Sequence, residues 1–233
     1  MSKSLIVPKY PPQGRRQFDP FAVGQPVLLF DAAKGITLNG ADVSLWADQS
    51  GNGNDVSQGT AADQPLWNAS DADFNGQPSI EGDGVSESIT AVTGLLTAQP
   101  NTIFMVYKRI SGGGRFFDTS GTAARQIMYG NMTIYAGTAQ ALFVGDTNAH
   151  VIAFDWNAAS SDAWLDGVQN TPGGSPGTLG FGGPCFFTDF GGASSQSNSK
   201  LAYFSCYPGN LSAAARKYIG KHLAARFGTT DGW

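Results

Sequence analysis

The chain has 233 residues, of which 41% are hydrophobic and only 14% are charged, a balance that supports a sizeable core and excludes wholesale disorder. This length suits one large all-β domain. The formal net charge is −4, and a negatively charged body argues against nucleic acid as a partner, because it would repel phosphate.

The charges are unevenly distributed. Residues 1–20 carry four basic side chains and one aspartate, and residues 211–228 carry four basic side chains and no acid. The acids concentrate between them, and only Glu81 and Glu87 are glutamates. Aspartate favours turns over helices, so this bias predicts strands and loops. A basic arm on an acidic body predicts a partner that is acidic where the arm docks, with a solvated tail as the alternative.

Residues 1–26 are predicted to form an extended N-terminal arm. Five prolines among basic and aromatic residues disfavour both helix and central strand. The arm is too apolar for an idle linker, so it either packs on its own domain or inserts into a neighbour. We favour a neighbour, and we predict that the arm binds it through Tyr10, Arg15, Arg16, Phe18 and Phe21.

The arm lacks the features of a secretion signal, because its first apolar run has three residues and stops at Pro8. No uninterrupted apolar stretch approaches transmembrane length. We therefore expect that the protein is made and retained in a cytoplasm and has no membrane partner.

The folded body is predicted to begin with a buried strand at residues 27–31. In the segment 43–67 that follows, Trp46 and Trp67 bracket a turn built from Gly, Asn, Asp and Ser. Its glycines can adopt positive φ at little steric cost, so the loop can be rigid without a core of its own.

Four side chains in this loop supply oxygen ligands of the kind that calcium prefers: Asp48, Asn52, Asn54 and Asp55. The same groups can bond the loop's own backbone, and we favour that role. The sequence thus predicts no cofactor, with calcium as the alternative.

Later segments predict further strands and tight turns. Asn75-Gly76 and Gly82-Asp83-Gly84 are turn sequences, residues 102–108 indicate a central strand, and Asp166-Gly167 indicates a hairpin. Further strands are predicted at 115–119, 126–129, 132–136, 141–144, 149–155, 184–190 and 201–207.

A helix is predicted at residues 212–227. Ser212 is a suitable N-cap and Gly228 a suitable residue beyond the C-terminus. One apolar stripe repeats every four residues along it. Its members are Ala215, Ile219, Leu223 and Phe227.

Four elements resemble those of concanavalin A-like, laminin-G-like jelly-roll domains, which occur in extracellular binding modules and in bacteriophage virion proteins. They are W-x-D-x-S-G-N-G-N-D at 46–55, N-G-x-P-x-[apolar]-x-x-D-G at 75–84, W-x-D-G at 164–167 and the helical ending at 211–228. The resemblance implies an all-β, two-sheet antiparallel jelly-roll sandwich over residues 27–233. The arm precedes the sandwich, and a short C-terminal helix closes it.

Concanavalin A-like folds include glycosidases, which need a pair of carboxylates. The E-x-D-x-x-E pattern of the retaining enzymes is absent. Glu81 and Glu87 are separated by a glycine-rich turn, and the pair Asp155 and Asp162 has no motif around it. The two histidines, at 150 and 222, have no linked nucleophile. We therefore expect no enzymatic activity.

Cys185 and Cys206 are predicted to be buried thiols, with a disulfide across a hairpin as the alternative. The tryptophans could form a sugar platform, but tryptophans on strands usually belong to the core. Only Trp233, at the terminus, is a candidate for the surface.

The resemblance and the arm together imply a structural virion protein of a tailed bacteriophage, namely a head decoration (cement) protein held to the capsid by its arm. The implied partners are the major capsid protein and neighbouring copies of the chain, as trimers at local threefold positions or clusters at hexamers. The alternative is a glycan-binding module of a phage tail or fibre that recognises the host surface.

Overall fold

The computed structural model describes residues 18–91, 95–119, 125–143, 145–190 and 195–233. The predicted partner-binding residues Tyr10, Arg15 and Arg16 therefore lie outside the described residues. In chain order the strands are β1 Leu28–Asp31, β2 Ile36–Asn39, β3 Asp42–Trp46, β4 Val56–Ser57, β5 Leu66–Asp71, β6 Gln77–Asp83, β7 Ile89–Ala91, β8 Leu96–Thr97, β9 Asn101–Ser111, β10 Arg115–Thr119, β11 Ile127–Tyr129, β12 Thr133–Tyr135, β13 Ala139–Ala141, β14 Ala149–Trp156, β15 Asp162–Leu165, β16 Val168–Asn170, β17 Phe181–Gly182, β18 Pro184–Phe186 and β19 Asn198–Pro208. The α-helix, α1, is Ala213–Phe227, and the 3-10 helices are Pro20–Val23, Ala61–Asp63, Ala72–Phe74 and Ala158–Ser160.

Seventeen of these strands build two antiparallel layers, which we call sheet A and sheet B, and β8 pairs separately with β17. Sheet A has the order β5-β6-β19-β9-β14-β15-β16. Along one edge of β19, β6 pairs with the first part of the strand and β1 pairs with the second part. Sheet B has the order β2-β3-β4-β7-β18-β10-β11-β12-β13. The pairing of Asp42 with Leu66 joins the two layers at one side. The predicted two-sheet sandwich with a C-terminal helix is confirmed.

The main core lies between the two sheets. Successive residues of a strand point to opposite faces, so β9 sends Ile103 and Met105 into this core and Phe104 to the outer face of sheet A. Phe186 of sheet B meets Phe204 of sheet A edge-on, with ring centroids 5.1 Å apart. The alternation along β9 thus supplies both faces of sheet A with apolar side chains.

Helix α1 lies on the outer face of sheet A and closes a second apolar cluster there. Ile219, Leu223 and Phe227 of the predicted stripe are buried against the sheet, whereas Ala215 is only partly buried. Among the described helices, none combines the length and the apolar character that would let it cross a membrane.

The predicted helix ends are confirmed. The Oγ atom of Ser212 accepts a hydrogen bond from Ala215 N, and Gly228 is left-handed with φ +70°. Asp166 and Gly167 have φ values of +50° and +86°, as the hairpin requires.

Two predicted strands differ from the structure: the strand predicted at 141–144 is instead β13, Ala139–Ala141, and the strand predicted at 184–190 is shorter than expected. Residues 184–190 were predicted to be extended throughout, but β18 ends at Phe186 because Phe187 has φ +67°, outside the extended region. Its side chain nevertheless lies in the main core. An apolar sequence therefore predicted burial here but not backbone conformation.

The cysteines and tryptophans lie mostly where the sequence predicts. Cys185 is on β18 of sheet B and Cys206 is on β19 of sheet A, so they are not partners across a hairpin; both are buried free thiols. Burial raises the pKa of the Cys185 thiol to about 12. Trp46 and Trp156 are completely buried in the core, and Trp233 packs on sheet A with its ring centroid 5.9 Å from that of Phe104. The tryptophans do not form a sugar platform in the described structure.

Candidate functional site

The glycine-rich loop at residues 48–55 is fixed to the start of sheet A by its own side chains. The Oδ1 atom of Asp48 accepts hydrogen bonds from the backbone N–H groups of Ser50 (2.8 Å) and Leu29 (3.1 Å). Its Oδ2 atom accepts from Ser50 Oγ at 2.7 Å. Asp55 Oδ1 in turn accepts from Asp48 N at 2.8 Å. The two carboxylates thus provide partners for backbone groups that a tight loop leaves unpaired.

The same hydrogen bonds bear on the four calcium candidates. Asn52 and Asn54 donate side-chain N–H groups to the carbonyl oxygen of Val27, at 3.1 and 3.3 Å. A cation in this loop would have to displace the N–H groups already bound to Asp48 and Asp55. In the described ranges, His, Cys, Asp and Glu side chains form no group of three or more that could hold a metal ion. Backbone hydrogen bonding accounts for all four side chains.

A cavity of about 400 Å³ lies beside this loop, between residues 18–20 and sheet A. Phe18, Leu29 and Tyr203 form its apolar wall. Its polar rim consists of Asp31, Lys34, Gln49, Gln77 and Arg226. The volume is within the range of small-molecule sites, although the rim groups are engaged with one another.

Arg226 organises this rim. Its guanidinium forms a bidentate ion pair with Asp31, with Nη1–Oδ2 at 2.6 Å and Nη2–Oδ1 at 2.8 Å. Its Nε atom donates to Gln77 Oε1 at 3.0 Å, and Gln49 Oε1 accepts from Asp31 N at 2.7 Å. The end of α1, the strand β1 and the loop are thereby held in one fixed arrangement.

Residues 18–23, which we call the arm root, contact the domain through aromatic groups. The ring of Phe18 stacks on His222 (centroids 5.4 Å apart) and is tilted against Tyr218 (6.1 Å), both on α1. The Tyr207 hydroxyl donates to the Pro20 carbonyl at 3.0 Å. Phe21 remains 40% exposed. Of the two predicted binding aromatics described, one therefore packs on its own domain and the other faces solvent.

We did not predict from the sequence that Tyr218 and His222 form the aromatic surface on which the arm root packs. Tyr218 and His222 are one helical turn apart, so they share a face of α1 next to the apolar stripe, and their rings are 4.5 Å apart. The i, i+4 spacing of Tyr218 and His222 was the sequence feature that could have indicated this surface. The His222 Nδ1–H group also donates to the Tyr218 carbonyl at 2.8 Å.

The exposed lysines of α1 lie next to the residues on which the arm root packs, because Lys217 and Lys221 directly precede Tyr218 and His222. Phe18 lies on α1, whose Lys217 and Lys221 are exposed. The helix arginines, by contrast, are held in ion pairs, Arg216 with Asp155 at 2.8 Å and Arg226 as described above. The exposed cationic side chains on this face of α1 are therefore its lysines.

The candidate carboxylate pairs have structural partners. Asp155 and Asp162 are directly opposite each other on β14 and β15. Asp155 accepts from Thr102 Oγ1 at 2.7 Å and from Arg216 Nη1 at 2.8 Å, and burial raises its pKa. Asp162 accepts from Thr171 at 2.6 Å. This pair joins the start of α1 to sheet A.

The other pair, Glu81 and Glu87, is not on one strand, because β6 ends at Asp83 and Glu87 follows in a turn. Burial, followed by the charge of Asp83, raises the pKa of Glu87 to about 7. Glu87 Oε2 accepts a hydrogen bond from Asp83 N at 2.9 Å, so the side chain closes this turn.

His150 lies between two aspartates at the start of β14. Its Nδ1 is 2.7 Å from Asp166 Oδ2 and its Nε2 is 2.8 Å from Asp146 Oδ1. Burial lowers the pKa of His150, but the bonds to both carboxylates outweigh it and raise the pKa overall. Asp166 Oδ1 also accepts from Val151 N at 2.8 Å, so the W-x-D-G aspartate serves both the hairpin and the histidine.

No protein-family model matches the sequence, and no curated protein sequence matches it. Solved structures do match its fold. Domain 4 of an extracellular arabinanase from Geobacillus stearothermophilus, in complex with arabinotriose, is 12% identical with a TM-score of 0.55 over 86% of this chain and 98% of that one.

Two larger enzymes contain a similar unit. An arabinofuranosidase complexed with arabinofuranosyl-α-1,2-xylobiose is 12% identical with a TM-score of 0.58, over 80% of this chain and 51% of that one. The sialidase of Trypanosoma rangeli in complex with sialic acid is 10% identical with a TM-score of 0.56, over 89% of this chain and 34% of that one. This chain thus spans about half of the first enzyme and a third of the second. At these identities the similarity establishes a β-sandwich fold alone.

Proposed function

We propose that this chain is a structural protein of a tailed-bacteriophage virion, a head decoration protein that attaches to the capsid through its N-terminal arm. The observation that carries the proposal is the packing of Phe18 on Tyr218 and His222, which fixes the point where residues 1–17 join the described domain. The assignment to a phage rests on the sequence resemblance.

The chemistry of the arm fits a groove between capsid subunits. Tyr10, Arg15 and Arg16 precede the arm root, and the exposed Phe21 belongs to it. Each apolar side chain that such a groove buries contributes about 1.5–3 kcal/mol. Arginines and the lysines of α1 favour an acidic partner surface and speed association with it.

The proposed partners are the major capsid protein and neighbouring copies of this chain. Icosahedral surfaces favour symmetric arrangements, so we expect trimers at local threefold positions. In this role the sandwich needs neither catalytic activity nor a cofactor, and its location is the virion.

Deletion of residues 2–17 tests the arm. The truncated protein keeps Phe18 and the aromatic surface on which it packs, so it should melt within about 2 °C of the full chain, because no described contact is lost. Its co-sedimentation with capsids should fall at least about tenfold. The double variant Arg15→Glu/Arg16→Glu should weaken attachment in the same direction. Full capsid binding by the truncated protein would reject the proposal, as would a virion copy number of about a dozen or fewer, which suits a tail protein.

A second function, glycan binding at the tail or fibre, is supported by one observation. The arabinanase domain, which matches over nearly its whole length, was solved in complex with arabinotriose, so a sandwich of this size can hold a saccharide. A glycan array probed with the full chain tests this function. Binding to no glycan on the array would reject it.

A further inference from the structure

The outer face of sheet B carries a group of polar and aromatic side chains that the arm root does not contact. The main core separates this face from α1, so the group lies on the opposite side of the sandwich from the arm root. We call it the sheet B cluster; its members are Arg115, Asp118, Arg125, Tyr129, Tyr135 and Phe190.

Strand register places the two tyrosines on this outer face. Tyr129 on β11 is directly opposite Arg115 on β10, and the Arg115 guanidinium carbon is 5.9 Å from the Tyr129 ring centroid. Met128 and Ile134, which directly precede the tyrosines, lie in the main core. Since neighbouring residues alternate between faces, Tyr129 and Tyr135 project away from the core.

A buried carboxylate fixes both arginines. The Asp118 side chain is fully buried, and its Oδ2 atom is 2.8 Å from Arg115 Nη1 and 2.8 Å from Arg125 Nη2. Arg125 Nε also donates to Asp118 Oδ1 at 3.2 Å. The backbone N–H group of Phe190 donates to Oδ2 at 3.2 Å. One carboxylate therefore holds two guanidinium planes and the backbone of Phe190 in position.

Each guanidinium has one terminal nitrogen that forms no hydrogen bond within the described part of the chain. Arg115 Nη2 and Arg125 Nη1 make no hydrogen bond to any described residue, and the two side chains are 20% and 36% exposed. The hydrogen bond to Asp118 raises the pKa of Arg125, and the nearby phenols of Tyr129 and Tyr135 add to this effect. The cluster thus presents fixed N–H donors beside aromatic rings.

The charges of the cluster are balanced. Asp189 Oδ2 lies 3.7 Å from Arg115 Nη1, so Arg115 and Arg125 are matched by two carboxylates, of Asp118 and Asp189. The chain around them is acidic overall. An anionic ligand would therefore gain little Coulomb energy here, whereas a neutral ligand rich in hydroxyl groups could accept hydrogen bonds from the free donors.

Phe190, whose backbone N–H group binds Asp118, adds an aromatic side chain that is 50% exposed. An aromatic surface next to fixed polar donors suits a sugar ring, whose C–H groups contact the aromatic face while its hydroxyls bind the donors. We infer that the sheet B cluster is a binding site for a neutral oligosaccharide. The inference rests on the glycan-binding function proposed above and gives it a site and a ligand class.

Ligand class is tested by calorimetry on the full chain. The panel contains arabinotriose, xylotriose, cellotriose and maltotriose, with sialyllactose as the acidic member. At least one neutral trisaccharide should bind, and its affinity should change less than about twofold between low and high salt, because no net charge is paired. Selective binding of sialyllactose, weakened by salt, would overturn the inferred ligand class.

The site is tested with Phe190→Ala and Arg125→Gln, each expected to weaken binding of the best neutral trisaccharide at least about tenfold. Phe190 is half exposed, so its truncation should leave the melting temperature nearly unchanged. Tyr135→Phe keeps the ring and should retain binding within about threefold, whereas Tyr135→Ala should lose it. Val168→Ala, an exposed apolar truncation on sheet A, is the control.

The outcomes separate the site from the function. Binding that survives Phe190→Ala and Arg125→Gln but is lost in Gln77→Ala, a variant of the cavity beside the arm root, would overturn the sheet B site and leave glycan binding intact. Failure of the wild-type chain to bind any member of the panel or any glycan on the array would reject glycan binding itself, and this inference with it.

Discussion

Sheet A is covered on its outer face by α1, whereas the outer face of sheet B carries partly exposed arginine, tyrosine and phenylalanine side chains. The covered face makes sheet A apolar on both sides, so the first seven residues of β9 and the last seven of β14 are buried without a break. In sheet B, buried and partly exposed residues alternate along β12. A strand buried on both faces is a continuous apolar run, and such runs therefore show which sheet the helix covers.

We expect the two outer faces to differ in their roles: the face of sheet A under α1 contributes to stability, and the face of sheet B contributes to binding. Side chains between α1 and sheet A have apolar partners on all sides, so truncating them leaves a cavity. Side chains of the sheet B cluster are partly solvated, so truncating them should change binding more than stability. Substitutions on the two faces test this distinction.

The largest effect is expected from Leu223→Ala. Leu223 is completely buried between α1 and sheet A, and its truncation should lower the free energy of unfolding by about 3 kcal/mol, from lost transfer energy and the cavity left behind. Urea denaturation measures it. Phe190→Ala on the other face should cost less than about 1 kcal/mol. Equal losses at the two positions would contradict the contrast between the faces.

A smaller effect on stability is expected from Gly220→Ala, and its sign should depend on whether Trp233 is present. A Cβ atom there would lie 2.1 Å from Cδ2 of Trp233, so Gly220→Ala must displace the indole from sheet A. The displacement should cost about 2 kcal/mol, partly offset by about 1 kcal/mol of improved helix propensity. In a Trp233→Ala background only the propensity gain remains, so the same substitution should stabilise. Urea denaturation of the four proteins gives the coupling, and a loss in both backgrounds would contradict this account.

Much of sheet A and α1 could be predicted from local sequence. Ser212 and Gly228 set the helix limits, and the apolar spacing of Ile219, Leu223 and Phe227 identified its buried face. These signals work because capping and helical periodicity depend on residues within a few positions of one another. The turn at Asp166-Gly167 was predictable for the same reason.

The candidate site and the sheet B cluster depend on contacts between distant residues, which local patterns do not encode. Phe18 meets His222 and Tyr203 only after the sandwich has formed. Asp118 joins Arg115 and Arg125 across a strand end and a loop, with no motif around them. The tryptophans that suggested a sugar platform are instead mostly core, because their large apolar area is best used there.

The contribution of His150, at the start of β14 in sheet A, to the free energy of unfolding should depend on pH. Its pKa in the fold is above its ordinary value of 6.5, so its contribution to stability is complete below about pH 6.5 and decreases as the pH rises through the folded pKa. Wild type should therefore exceed His150→Gln in unfolding free energy by about 1 kcal/mol more at pH 5.5 than at pH 9. Urea denaturation at both pH values checks it. A difference that grows with pH would show that the bonds to Asp146 and Asp166 do not hold the proton.

The smallest effect is expected at Glu87, in the turn between β6 of sheet A and β7 of sheet B. Its carboxyl titrates near 4.5 when unfolded and near 7 in the fold, so ionisation destabilises the native state as the pH rises between these values. Glu87→Gln cannot ionise and keeps an oxygen to accept from Asp83 N. It should match wild type at pH 4 and be more stable by about 1 kcal/mol at pH 8, a value reduced because the side chain is partly solvated. Thermal melts at the two pH values test this. An equal or lower stability of the variant at pH 8 would mean that solvent already stabilises the ionised carboxylate of Glu87. The turn that joins the two sheets would then be more open to water than the partial burial of this carboxyl indicates.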